Sequence, residues 1–270
     1  MSVIRSVEAF VLRLGKDDGG AARYISAPPV RSVYPSREET LFVRIATDDH
    51  VGWGEALTPV APEAPAAVIT HLFAPLLVGT DLAATGVRPV TTLLQASMRE
   101  RGHLGGHHAD AVAGVDIALW DLFGQIHRLP VHQLLGGAYR TEVPLYLTSV
   151  AGATPPERAE QAAAARADGF TRMKLHLTTE PRRALETVDA VLGALDDPDA
   201  KVAVDAHWVH GQGAASRLGR ALDERGAWFF EAPLAPEDLP GHSALAAMLA
   251  TPVAVGEAMR HRFEFAQWAG

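Results

Sequence analysis

The sequence predicts an α/β protein in two parts: a small α+β portion, then a run of parallel strands and helices. Three observations predict it. The first 60 or so residues hold a meander of strand-like stretches, and helical stretches follow. After Val143, strand-length apolar stretches alternate with helix-length stretches until five strands have been counted. Three of those strands run into a carboxylate, Asp205, Glu231 and Glu257. The first two are separated by 26 residues and the last two by 26 again. One strand, one helix and two loops consume that interval. The three acids are therefore expected side by side at one mouth of a barrel or sheet.

Composition sets the outer limits. The chain has 270 residues, 48% apolar and 21% charged, which is ordinary for a globular protein. A net charge of −8 argues against a nucleic-acid partner, which would want a basic face. The absence of cysteine excludes disulfides and thiolate-zinc sites and fits a cytoplasmic address. No apolar run approaches 18 residues, so no membrane span is expected, and residues 1–8 have no signal-peptide core.

In chain order, residues 3–14 alternate apolar and polar side chains and read as a strand. Residues 15–38, rich in Gly, Pro, Ser and Arg, read as a mobile loop. Residues 40–47 make a second strand, and Asp48-Asp49-His50 turns it toward a third at 51–55. Helices are expected near 64–77 and 89–101. The stretch from Gly102 to His108 has paired glycines and no acid or cysteine close by, so it reads as a solvated or substrate-facing loop rather than a metal site. From Ala109 to Ile126, Val112, Val115, Leu119, Leu122 and Ile126 recur at helical spacing. The second part then reads as strand 143–150, helix 155–168, strand 170–177, helix 181–195, the Asp205 strand and a helix near 212–225. The Glu231 strand, a helix near 239–250, the Glu257 strand and a last helical stretch from His261 follow. Such alternation implies parallel strands with right-handed crossovers.

Candidate chemistry gathers at the strand ends. At a period of two, Lys174 and His176 point to one face of their strand and Leu175 to the other. Two bases one strand before Asp205 are placed to take a proton. A buried lysine near a cation has its charged form disfavoured and serves as a base near neutral pH. The competing reading is a snorkelling lysine and a hydrogen-bonded core histidine. His207 shares the face of Asp205 and would protonate a leaving hydroxyl or hold a substrate; alternatively it orients the carboxylate. One strand-end acid is most often a cap or a salt-bridge partner. Three at a repeated interval repel one another unless a cation sits between them, and hard oxygen ligands select magnesium or its relatives. No phosphate-binding glycine loop and no GxSxG elbow is present.

With these residues in hand, the sequence resembles the enolase superfamily, in its mandelate racemase and muconate lactonizing enzyme branch. The matching stretches are residues 113–122 (AGVDIALWDL), residues 130–137 (PVHQLLGG), Lys174-x-His176, Asp205, Glu231 and Gly256-Glu257. The resemblance implies an N-terminal capping domain over residues 1–138 and a TIM-type (β/α) barrel of the enolase type over 139–270. Only about five of its strands are present, the stretch from Val143 being 128 residues against about 250 for a typical barrel; a C-terminal truncation is expected. The resemblance also implies Mg²⁺ held by Asp205, Glu231 and Glu257, and a Lys or His base that removes a proton α to a carboxylate. His176 stands where the family often has a second lysine. Asp205-x-His207 is similar to the arrangement in acid-sugar dehydratases, in which that histidine expels the β-hydroxyl. A Mg²⁺-dependent hydro-lyase acting on an aldonate or aldarate through an enediolate is therefore expected, with a small-molecule carboxylate as partner and a homo-oligomer as assembly. The alternatives are a racemase or epimerase, and an inactive or partner-dependent half-barrel. Arg23, Arg31 and Arg37 are candidate carboxylate clamps.

Overall fold

Alternation in the N-terminal stretch has a direct structural counterpart in strand β1 (Ser6–Leu14). The computed structural model describes residues 2–15, 23–27 and 32–269. β2 (Tyr24–Ala27) and β3 (Ser32–Pro35) form a two-stranded antiparallel ribbon. β4 (Glu38–Ala46) lies between β1 and β5 (Val51–Ala56) in an antiparallel sheet of order β1-β4-β5. Along β4 the buried positions Glu39, Leu41, Val43 and Ile45 alternate with half-buried ones, as a sheet covered on one face requires.

The ribbon corrects the expectation of a loop over 15–38. Tyr24 anchors it: its hydroxyl donates to Glu39 at 2.9 Å and accepts from the Ala61 N–H at 2.8 Å. Arg23 is not a free carboxylate clamp either, because its guanidinium is committed to Glu39 and Glu63 at 2.8 Å each. Glu39 is buried, and a buried carboxylate needs such donors. Arg31 lies outside the described residues.

The helices α1 (Glu63–Val68), α2 (Ala74–Leu77), α3 (Leu82–Thr85), α4 (Val87–Ala96), α5 (Gly106–His127) and α6 (Val131–Leu134) follow, with a π-helical turn (Ile69–Phe73) joining α1 to α2. α5 lies across the sheet on β5, and glycine makes that approach possible. A Cβ on Gly52 would stand 2.3 Å from the Ala118 carbonyl oxygen, and one on Gly54 2.1 Å from that of Gly114. Polar groups pin the same contact: the Trp53 N–H donates to Asp121 at 2.8 Å and Gln125 donates to the Val51 carbonyl at 2.7 Å. Ile4, Ile69, Phe73, Leu82, Leu94, Val115, Leu119 and Leu122 fill the core beneath. The histidine-rich stretch is only partly a loop. α5 starts at Gly106, so His107 and His108 sit in its first turn and His108 is buried.

From Glu142 to Ala258 the chain builds a second unit. Its elements are β6 (Leu147–Thr148), α7 (Pro155–Ala167), β7 (Arg172–His176), α8 (Pro181–Leu195), β8 (Lys201–Asp205), α9 (Gln212–Asp223), β9 (Phe230–Glu231), α10 (Leu239–Met248) and β10 (Val253–Ala254). The strands lie in the order β10-β9-β8-β7-β6, and every neighbouring pair is parallel. Met173, Leu175, Val202, Val204 and Phe230 from one face of this sheet pack with Val188, Val191, Leu218 and Leu222 from the helices.

Two strands are shorter than expected. In the stretch 143–150 only Leu147–Thr148 pairs, and Val143 and Leu145 are 70% and 73% exposed, because β6 is an edge with a partner on one side only. β10 stops at Ala254, three residues before Glu257, and Gly256 between them takes a φ of +128°. The last helix, α11 (Arg262–Trp268), is capped by a reciprocal pair, His261 and Glu264. It belongs with the first unit, where Arg260 pairs with Asp110 at 3.0 Å. Among the described residues, no helix is long and apolar enough to cross a membrane.

Candidate active site at the strand tips

Register decides which side chains meet. His176 is the ladder partner of Asp205, and Asp205 of Glu231, so three successive strands end in polar residues in one row. With Val202, Val204 and Phe230 turned toward the helices, the period of two puts Asp205, Glu231, Lys174 and His176 on the other face.

Lys174 reaches forward along this face. Its Nζ donates to Glu231 Oε2 at 2.7 Å and stands 3.5 Å from Asp205 Oδ2. The three side chains keep only 16%, 18% and 9% of their exposure. Burial pulls the lysine pKa down, but the Glu231 hydrogen bond and the charges of Glu231 and Asp205 outweigh it, and the net shift is upward. The expectation of a depressed lysine pKa rests on a cation beside it, and without one the two carboxylates raise it. Two carboxylates facing one ammonium leave one negative charge in excess.

His207 sits at the turn after β8. Its φ of +47°, followed by +61° at Trp208, is left-handed backbone that non-glycine residues rarely adopt. The fold holds it there: the His207 N–H donates to Asp205 Oδ1 at 3.0 Å, the Ala206 N–H to the Glu231 carbonyl at 3.0 Å, and the Trp208 N–H to the Ala232 carbonyl at 2.7 Å. This backbone brings the His207 ring to 5.1 Å from that of His176 and 4.4 Å from that of Trp208. One donor atom each from His176, Asp205 and His207 lies within 4.8 Å of the others. Glu231, whose Oε2 accepts from Lys174, and Glu257, exposed and three residues beyond the end of β10, are not in this group.

Two contributors escaped the sequence reading. Arg158 in α7 donates to the His176 carbonyl at 3.2 Å and to the Gly152 carbonyl at 2.9 Å, fixing the tip of β7. Trp208 walls His207 on one side. Neither has a local signal; the Thr154–Glu157 capping box that opens α7 says nothing of where Arg158 points.

Comparison with known proteins agrees with this geometry. Residues 157–270 match the family described as enolase C-terminal domain-like, and residues 24–136 match the mandelate racemase/muconate lactonizing enzyme N-terminal domain. A solved member of the enolase superfamily from Agrobacterium tumefaciens superimposes with a TM-score of 0.92 at 32% identity, covering 99% of this chain and 71% of that one. The chain belongs to the enolase superfamily. Curated relatives of this enolase-superfamily chain include the D-galactarolactone cycloisomerase of Agrobacterium fabrum, 31% identical over 84% of this chain, and the D-galactonate dehydratase of Ralstonia nicotianae, 32% identical over 83%. The D-xylonate dehydratase of Haloferax volcanii is 31% identical over 83%. The chain spans about 60% of the length of the first two and 57% of the third. Its five parallel strands are thus part of an enolase-type barrel, and residues 24–136 of its first unit match the family's N-terminal domain.

The donor set fits a hard divalent cation. Asp205 and Glu231 are ladder neighbours with an excess negative charge, and both offer oxygen ligands of the kind Mg²⁺ prefers.

Proposed function

We propose that the strand tips of the second unit carry out dehydration of a sugar acid, an aldonate or aldarate, to a 2-keto-3-deoxy acid. The observation that carries the reading is the pairing of the His176 and His207 rings at 5.1 Å, directly beside Asp205 and a buried ammonium. Loss of water from a sugar acid needs a base for the α-proton, an acid for the departing β-hydroxyl and positive charge near the carboxylate. His176, His207 and Lys174 are the residues assigned to these three roles.

His176, exposed at the tip of β7 and beside His207, takes the α-proton as the base. Lys174 supplies fixed positive charge and orients the substrate. His207, locked by its left-handed backbone, gives a proton to the leaving hydroxyl, which departs as water. The enol that remains becomes the keto acid by taking a proton at carbon. Asp205, Glu231 and Glu257 would hold Mg²⁺, which when bound polarises the substrate carboxylate as a Lewis acid. Relatives named D-galactonate and D-xylonate dehydratase support this class of substrate.

The test is turnover of a panel of aldonates and aldarates by the protein and its His207→Ala variant, followed by assay of the 2-keto-3-deoxy product. Loss of a general acid lowers kcat by about 10²–10⁴, while exchange of the α-proton with solvent deuterium persists. Undiminished dehydration in His207→Ala would remove His207 from the mechanism. Proton exchange without water loss in the unaltered protein would favour the isomerase reading, to which the cycloisomerase relative points.

A further inference from the structure

The first unit holds a cavity of about 530 Å³ that shares no residue with the strand-tip site. It lies among α4, the first half of α5 and the segment 260–263. Its size is that of a small-molecule site. The chain as a whole is acidic, yet this cavity is lined by Arg88, Arg99, Arg260 and Arg262 and by a single carboxylate, Asp116. Asp116 already accepts a hydrogen bond from the Thr91 hydroxyl, and Arg260 is paired with Asp110. Among the described residues Arg88, Arg99 and Arg262 form no ion pair, and Arg262 does no more than lie over the Phe263 ring at 5.0 Å.

A buried histidine borders the same space. His108 lines the cavity, is only 7% exposed, and has no hydrogen-bond partner on either ring nitrogen. Burial lowers its pKa; the nearby Leu94 carbonyl opposes that without reaching hydrogen-bond geometry. Its ring packs edge-on against Phe73 at 5.5 Å, and both nitrogens are closed to solvent, so it forms part of the cavity wall and offers the cavity no donor. His108 stands in the first turn of α5, whose N-cap Gly105 provides no side-chain cap, so the positive end of a 22-residue helix adds to the arginines.

We infer that this cavity binds a small, multiply charged anion, a phosphate or a polycarboxylate. The guanidinium forks of Arg88, Arg99 and Arg262 would take its oxygens. Trp120, Leu104 and Phe263 would wall the uncharged part.

Calorimetric titration of the whole protein with inorganic phosphate, and separately with citrate, tests the inference at ionic strength matched with KCl. At least one of the two is expected to bind in a 1:1 ratio, and the tighter one identifies the oxyanion class. Arg99→Gln and Arg262→Gln, each on an exposed residue whose loss leaves the fold standing, are expected to weaken binding at least tenfold. Arg182→Gln on α8 is expected to leave it unchanged. Binding is also expected to change tryptophan fluorescence, a response lost in Trp120→Phe while the heat remains. Heats no larger than those of KCl for both anions, or full-strength binding by Arg99→Gln and Arg262→Gln, would overturn the inference.

Discussion

Replacing Lys174 by methionine keeps most of the side-chain volume and removes the one ammonium that two carboxylates share. The magnitude follows from the geometry. The Nζ lies 2.7 Å from Glu231 and 3.5 Å from Asp205, with all three side chains less than one-fifth exposed. Unit charges 4 Å apart attract by about 4 kcal/mol at an effective dielectric of 20. Removing one member of a buried pair costs about 3–5 kcal/mol. Both carboxylates keep some contact with water, so the lower end applies, about 3 kcal/mol. That is a fall in Tm of roughly 10 °C. A divalent cation would take over the lost role: Mg²⁺ at 100 times its Kd restores about 2.7 kcal/mol. The measurement is thermal and urea unfolding of both proteins, in EDTA and with increasing Mg²⁺. Lys174→Met is expected to be the weaker protein in EDTA and to gain more from Mg²⁺. Equal stability in EDTA, or an equal response to Mg²⁺, would refute the view that the strand tips form an anionic pocket in need of a cation.

Other outcomes follow from the same coordinates. Gly54→Ala drives a Cβ to 2.1 Å from the Gly114 carbonyl oxygen and is expected to destabilise the first unit by at least about 3 kcal/mol in urea unfolding. Gly193→Ala, on an exposed helical position with nothing within 4 Å, is expected to stabilise by about 0.5–1 kcal/mol. The hydrogen bond from Arg23 holds the Glu63 carboxyl down at about 2, against an ordinary value of 4.5. A depressed carboxylate contributes stability that is complete above its unfolded pKa and is lost as pH falls through the folded one, so stability should decline between about pH 4.5 and 2. In Arg23→Gln that decline is expected to be shallower when unfolding is followed at successive pH values; an unchanged slope would show that the ion pair is not its source.

Much of the architecture could be read from local pattern. α8 begins at Pro181 and ends at Leu195, as apolar spacing and an N-terminal proline require. The period of two put Lys174 and His176 on one face, and the repeated interval brought the tips of β8 and β9 into register. These are short-range consequences of 3.6- and 2-residue periods, so a single sequence carries them.

What only the tertiary structure decided depends on contacts between residues far apart in the chain. Lys174 and Glu231 are 57 positions apart, and nothing near either residue announces that one will neutralise the other. Glu257 follows β10 by three residues, across a Gly256 whose positive φ no local pattern announces. The ribbon at Tyr24 forms because a buried Glu39, on another strand, needs its donors. His108 reads as part of a polar loop until α5 buries it beside a ring of arginines drawn from three separate stretches. Periodicity tells a residue which way to face; only packing tells it whom it meets, and charge and hydrogen bonding are settled by the meeting.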